Sequence, residues 1–169
     1  MSNTVFAERA ADGLVVARVE LPRYLGKWHE IATFLQRFQR GCNGSTATYS
    51  ALGPGKIGVL NECRMNSLDG PYKSINGRAR VTDKVTNAKL KVKFFPLIGA
   101  PYWIIELDGQ PGEQPYEWAV VGSRSARYLW ILSRTPQMDR GRLDKILQRL
   151  AERGYDVSRL SFTQQPRST

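Results

Sequence analysis

Short runs of period two dominate the hydrophobic pattern of this chain. In residues 88–94, Leu90, Val92 and Phe94 fall on one side and Lys89, Lys91 and Lys93 on the other, which predicts a strand with one dry and one wet face. Further runs rich in β-branched and aromatic residues occupy 28–34, 45–50, 57–63, 102–107, 117–122 and 128–133, with a weaker one at 77–81. Turn residues separate them: Gly53-Pro54-Gly55 between the second and third runs, then Pro96, Gly99 and Pro101, then Gly109, Pro111, Gly112 and Pro115. Near the end the period changes. Leu143, Ile146, Leu147 and Leu150 repeat at helical spacing opposite Arg142, Lys145, Arg149 and Glu152, and Gly154 closes that helix. A final apolar run at 160–162 adds one more short strand.

Eight short strands followed by one amphipathic helix predict an all-β fold, an eight-stranded antiparallel up-and-down barrel with one C-terminal α-helix packed outside. The length of 169 residues fits one such domain, read as 20–166, with an N-terminal extension at 1–19 and a tail at 167–169. The composition, 41% apolar and 24% charged, is that of an ordinary globular protein. The excess of 25 Lys and Arg over 15 Asp and Glu adds a partner class. No run of five like charges and no nucleic-acid motif is present, so the expected partner for a charge of +10 is an anionic membrane surface and not a nucleic acid. Residues 1–19 lack a continuous apolar core, and no segment is long and apolar enough to cross a bilayer. Two locations stay open on composition: a cytoplasmic protein, or one whose targeting peptide has been removed.

Two segments carry a family resemblance. The run from Pro22 through Gly26-Lys27-Trp28 to Ala32 resembles the first lipocalin motif, a short turn leading into Gly-x-Trp, and Tyr128 through Ser133-Arg134-Thr135-Pro136 resembles the motif on the last barrel strand. Phe38-Gln39-Arg40-Gly41-Cys42, Thr46 to Ser50 and Gly154 to Ser158 extend the likeness over roughly residues 20 to 166. It is nearest the bacterial lipocalins of the Blc type, relatives of apolipoprotein D. Where many lipocalins have Thr-Asp-Tyr, this chain reads Leu107-Asp108-Gly109. The resemblance implies a fatty acid or lysophospholipid ligand and an outer-membrane-associated location facing the periplasm. It also assigns Trp28 and Arg134 a structural role. A barrel open at one mouth needs a plug at the other, and an Arg stacked on a Trp can donate to carbonyls of the opening turn.

Alternation from those two anchors gives an expected interior. Trp28 carries Glu30, Ala32 and Phe34 inward, and Arg134 carries Leu132, Trp130 and Tyr128. Keeping charge outside selects Ala47, Tyr49, Val59, Asn61, Ala79, Leu90, Val92, Phe94, Tyr102, Ile104, Ala119 and Val121 on the other strands. The small residues Ala32, Ala47, Ala79 and Ala119 predict space left over for a small hydrophobic ligand. Glu30 inside an apolar cup is expected either to hold a hydrogen-bonding partner from the protein, the favoured reading, or to grip a ligand head group.

Cys42 and Cys63 flank the first hairpin and form a candidate disulfide in an oxidising compartment, provided a bulge brings them into line. Two Cys and one distant His do not make a metal shell. The single histidine, His29, has no acid beside it, and no nucleophile elbow or phosphate loop is present. The expectation is a binding protein without a cofactor, monomeric or homodimeric, and not an enzyme. The alternatives are a carrier of a pigment such as haem or a bilin, and a barrel enzyme using a cavity Tyr or Glu on a small apolar substrate.

Overall fold

A computed structural model describes residues 3–94 and 97–167. A one-turn helix α1 (Leu21–Tyr24) leads into β1 (Gly26–Phe34), β2 (Cys42–Gly53), β3 (Lys56–Met65), β4 (Tyr72–Val81), β5 (Lys89–Phe94), β6 (Leu97–Leu107), β7 (Trp118–Gly122) and β8 (Leu129–Ser133). The long helix α2 (Arg140–Glu152) and a short β9 (Leu160–Phe162) follow. Each of β1 to β7 pairs antiparallel with the next, and β8 pairs with β1, so the eight strands form a closed ring. Closure removes the free sheet edges that an open antiparallel sheet would expose.

The start of β6, from Leu97 to Tyr102, departs from expectation. Gly99 and Pro101 read as turn residues, yet both lie within β6; Pro96 lies outside the described residues. Gly99 adopts φ +69°, and the register slips there, with Val92 opposite Ala100 and Lys93 opposite Ile98. A bulge built on a left-handed glycine lets the strand continue through residues that sequence patterns treat as breakers.

A second bulge has larger consequences. Between Glu30 and Ala32 the β1–β8 register shifts, Glu30 facing Leu132 and Ala32 facing Ile131. Up to His29 the other edge of β1 is bonded to β2, and from Ala32 to Phe34 it is bonded to β9. The chain beyond β9 fills the gap that remains between β1 and β2. Thr163 N–H donates to Ile31 O at 2.9 Å, Gly44 N–H donates to Gln164 O at 2.7 Å, and Gln165 Nε2 donates to both Glu30 O and Ser45 O at 2.9 and 2.8 Å.

Helix α2 starts at Asp139, whose carboxylate accepts from Arg142 N–H, and stops at Gly154 with φ +90°. There Gly154 N–H reaches Ala151 O and Tyr155 N–H reaches Leu150 O, the paired bonds that let a left-handed glycine end a helix. Ile146 and Leu150 are fully buried against the outer face of the barrel, among Ile105, Trp118, Val120, Leu129 and Ile131. Each such side chain contributes about 1.5–3 kcal/mol.

The segment read as an N-terminal extension is built into the core. Val15, Val16 and Val19 are fully buried, Val16 N–H donates to Ile104 O, and Ala7 N–H donates to Leu107 O. It is held by a buried carboxylate on β6. Glu106 Oε1 accepts from Arg9 Nη2 at 3.1 Å, Arg149 Nε at 2.9 Å and Arg153 Nη1 at 2.8 Å, joining the N-terminal segment, the barrel and the end of α2.

Candidate functional site: the barrel interior

One end of the barrel is closed. Trp28 is fully buried and donates from Nε1 to Tyr24 O at 2.8 Å. The Arg134 guanidinium carbon lies 3.8 Å from the centre of the Trp28 ring. Arg134 also donates to Tyr116 O at 2.7 Å, Arg23 O at 2.9 Å and Lys27 O at 3.1 Å. The guanidinium thus ties α1, β1 and the chain before β7 together across the base, where burial pulls its pKa down from the ordinary arginine value.

Above this plug lies a cavity of about 450 Å³, in the range of about 300–1,000 Å³ typical of small-molecule sites. Its apolar wall includes Ala47, Val59, Ala79, Leu90, Val92, Phe94, Ile104, Val121, Trp130 and Leu132, and Asn61 also lies on it. The alternation argument thus brings residues of seven strands into one concave surface. Tyr24 from α1 and Tyr49 and Tyr102 from β2 and β6 make a floor of phenols. Tyr24 Oη and Tyr102 Oη are 2.7 Å apart, and Tyr102 donates to Tyr49 Oη at 2.8 Å. Burial raises all three: Tyr49 to about 12, and Tyr24 and Tyr102 well above the usual phenol value.

Of the two glutamates that line the cavity, Glu30 and Glu62, Glu30 is the buried one. It is 9% exposed, and its two oxygens accept from Thr163 Oγ1 at 2.6 Å and Gln39 Nε2 at 3.2 Å. Burial raises its pKa, and these two donors oppose the shift. Gln39, from the turn after β1, is itself part of the lining, as are Glu62, Lys73 and Ser74.

Four expected lining residues are elsewhere. The bulge after Glu30 turns Ala32 and Phe34 to the outer layer, where they pack with Ile131, Ile146 and Leu160. Ala119 is buried in the inner core, one residue from the start of β7, and takes no part in the cavity wall. Tyr128 precedes β8, so strand alternation does not govern it; its ring stacks parallel on Trp130 with centroids 5.7 Å apart. Conversely, Tyr24, Leu21, Gln39, Ile57, Ile75, Ala100 and Pro101 line the cavity without having been expected. Ile57 shares the inward phase of Val59 and was legible. Tyr24 and Leu21 arrive from a helix, where no strand period applies.

Cys42 and Cys63 are joined as a disulfide, with Cα atoms 5.4 Å apart. The required bulge is present: the register slips between Asn43 and Thr46, which places two residues of β2 opposite the Cys63 position. Among the described residues no group of three His, Cys, Asp or Glu side chains is gathered for a metal, and His29 is outside the cavity lining.

An antiparallel eight-stranded cup, plugged at its base and carrying a helix outside, defines a small-ligand-binding barrel. The family model described as a Lipocalin-like domain matches residues 19–165, and the chain belongs to that family. It is 39% identical over 150 residues to the outer membrane lipoprotein Blc of Vibrio cholerae, covering 89% of this chain and 85% of that one. It is 33% identical over 155 residues to apolipoprotein D of Mus musculus, covering 86% and 77% of the two chains. The fold superposes on insecticyanin from the tobacco hornworm with a TM-score of 0.69 at 16% identity, covering 97% and 90%. Lipocalins bind small hydrophobic ligands, and members of the family are generally binding and transport proteins.

Proposed function

We propose that the protein carries a single-chain lipid, a fatty acid or a lysophospholipid, inside the barrel without transforming it. The observation that carries this reading is the 450 Å³ apolar cavity above the Trp28–Arg134 plug. Aliphatic walls reward an acyl chain with about 0.8 kcal/mol per buried methylene. The residues proposed to contact the ligand are the wall residues described above together with Glu30, Tyr49 and Tyr102. Native mass spectrometry of the purified protein, with lipid analysis of an organic extract, is the test. A fatty acid or lysophospholipid at near one per chain supports the reading. An empty barrel that takes up no fluorescent fatty acid refutes it.

The partner that fits the outer surface is an anionic membrane. Across β4 and β5 Arg78 stands opposite Lys93 and Arg80 opposite Lys91, and across β3 and β4 Lys56 stands opposite Arg80. All five are exposed, and among the described residues none has an acidic partner. Like charges directly opposed destabilise a sheet, and a negatively charged surface offsets that cost. A periplasmic, outer-membrane-associated location is proposed from the Blc relatives, and the Cys42–Cys63 disulfide agrees with an oxidising compartment.

A further inference from the structure

The cavity floor contains an imbalance of protons. Tyr24, Tyr102 and Tyr49 contribute three hydroxyls, each with one proton to donate, but only two hydrogen bonds join them. Tyr102 uses its proton toward Tyr49, so Tyr24 is the donor in the bond to Tyr102. The Tyr49 proton is left without an acceptor among the described residues. Tyr49 is 7% exposed and lines the cavity, and its raised pKa keeps it protonated across the physiological range. A buried donor left unpaired is costly, and an apolar chain end resting on the floor would leave it so.

The surroundings of that donor narrow what can meet it. At the base, Arg134 lies against Trp28 and is already bonded to three backbone carbonyls, and Lys73 of the cavity lining stands opposite Cys63, four residues along β3 from Val59, the partner of Tyr49. Glu30 lines the same cavity and repels a second anion when ionised. An ionised carboxylate on the floor would therefore be desolvated with no counter-ion beside it. A neutral oxygen needs only the one hydrogen bond that Tyr49 has to give.

We infer that the tyrosine floor is a recognition site for a neutral oxygen acceptor at the leading end of the ligand: a long-chain primary alcohol, an aldehyde, or a fatty acid in its protonated form, inserted oxygen end first. This rests on the lipid-carrier reading above and sharpens it. A lysophospholipid, whose charged headgroup stays at the rim, brings only its methyl end to the floor and leaves Tyr49 unpaired.

The test compares dodecanol with dodecane as competitors for a fluorescent fatty acid, in the wild type and in the variant Tyr24→Phe/Tyr49→Phe/Tyr102→Phe. That variant keeps the floor's shape and removes every donor together. The expected result is a loss of at least about fivefold in dodecanol affinity on substitution, from the unpaired hydroxyl left in the variant, with dodecane affinity unchanged or higher. Equal shifts for the two ligands overturn the inference. A wild type that binds neither ligand nor the fatty acid overturns the carrier reading instead. A measurement on the wild type alone guards against a variant that does not fold. The carbonyl stretch of bound dodecanal is expected at lower frequency than in hexane, and an unshifted band overturns the inference.

Discussion

Glu106 gives the sharpest prediction about what holds the fold together. Its side chain is fully buried, and one of its oxygens meets three guanidinium groups: Arg153, 9% exposed, and Arg149 and Arg9, 31% and 35% exposed. Replacing Glu106 by Ala leaves the Arg153 charge buried beside β6 with no counter-ion. Breaking a buried pair in this way costs about 3–5 kcal/mol. Removing Arg9 deletes only a half-exposed partner that water screens, at about 1 kcal/mol or less. With a urea dependence of about 1–3 kcal/mol per molar for a small domain, Glu106→Ala is expected to lower the unfolding midpoint by roughly 1–5 M. Tryptophan fluorescence reports the transition, since Trp28 and Trp118 are both fully buried. Fatty acid uptake should survive at temperatures where the variant is folded, because Glu106 is outside the cavity lining. The reasoning is refuted if Glu106→Ala costs less than about 1 kcal/mol, or if Arg9→Ala costs as much as Glu106→Ala.

Three further outcomes are expected. Ala79→Phe places a ring in the cavity and should weaken binding of a fluorescent fatty acid at least about tenfold with little change in thermal midpoint; unchanged affinity would place the ligand elsewhere. Glu30 has a folded pKa raised above its ordinary value of 4.5, so the native state holds its proton more tightly than the unfolded chain. Relative to Glu30→Gln, the wild type should lose stability as pH rises from about 4.5 through the raised folded pKa, and then level off; a wild type that gains stability relative to the variant over that rise would contradict the sign. Lys91→Glu/Lys93→Glu should weaken sedimentation with phosphatidylglycerol vesicles, as should high salt, at about 1 kcal/mol per basic group removed; retained binding would exclude the β3–β5 face.

The barrel was legible in the sequence because its cue is local. The alternation in residues 88–94 survives as β5 with its interior phase intact, and the helical stripe around Ile146 survives as α2. What the sequence hid is non-local. The bulge that turns Ala32 and Phe34 outward depends on the register that β8 imposes on β1, and no residue type marks it. The valines at 15, 16 and 19 carry no period of two, since they cover the core as single contacts along an irregular segment. Glu106 looked like one charge in the apolar run 102–107. Its three arginines come from 43 to 97 residues away. The roles of Trp28 and Arg134 at the base came from the family resemblance, since nothing local singles this pair out among the other cation–aromatic contacts of the barrel.

The way β1 is shared among β2, β8 and β9 also fixes an order in time. Glu30 and Thr163 are 133 residues apart in the chain, and the bond between them is one of those that fill the gap beside β2. Contacts of that span make folding slow, because the closure entropy of a long loop must be met before any contact rewards it. A chain emerging from the ribosome presents β1 first and the strap formed by residues 160–165 last. Until the strap arrives the ring of eight strands has a gap between the second half of β1 and the start of β2, beside Glu30. The piece that seals the wall beside Glu30 is thus made after all eight strands of the ring.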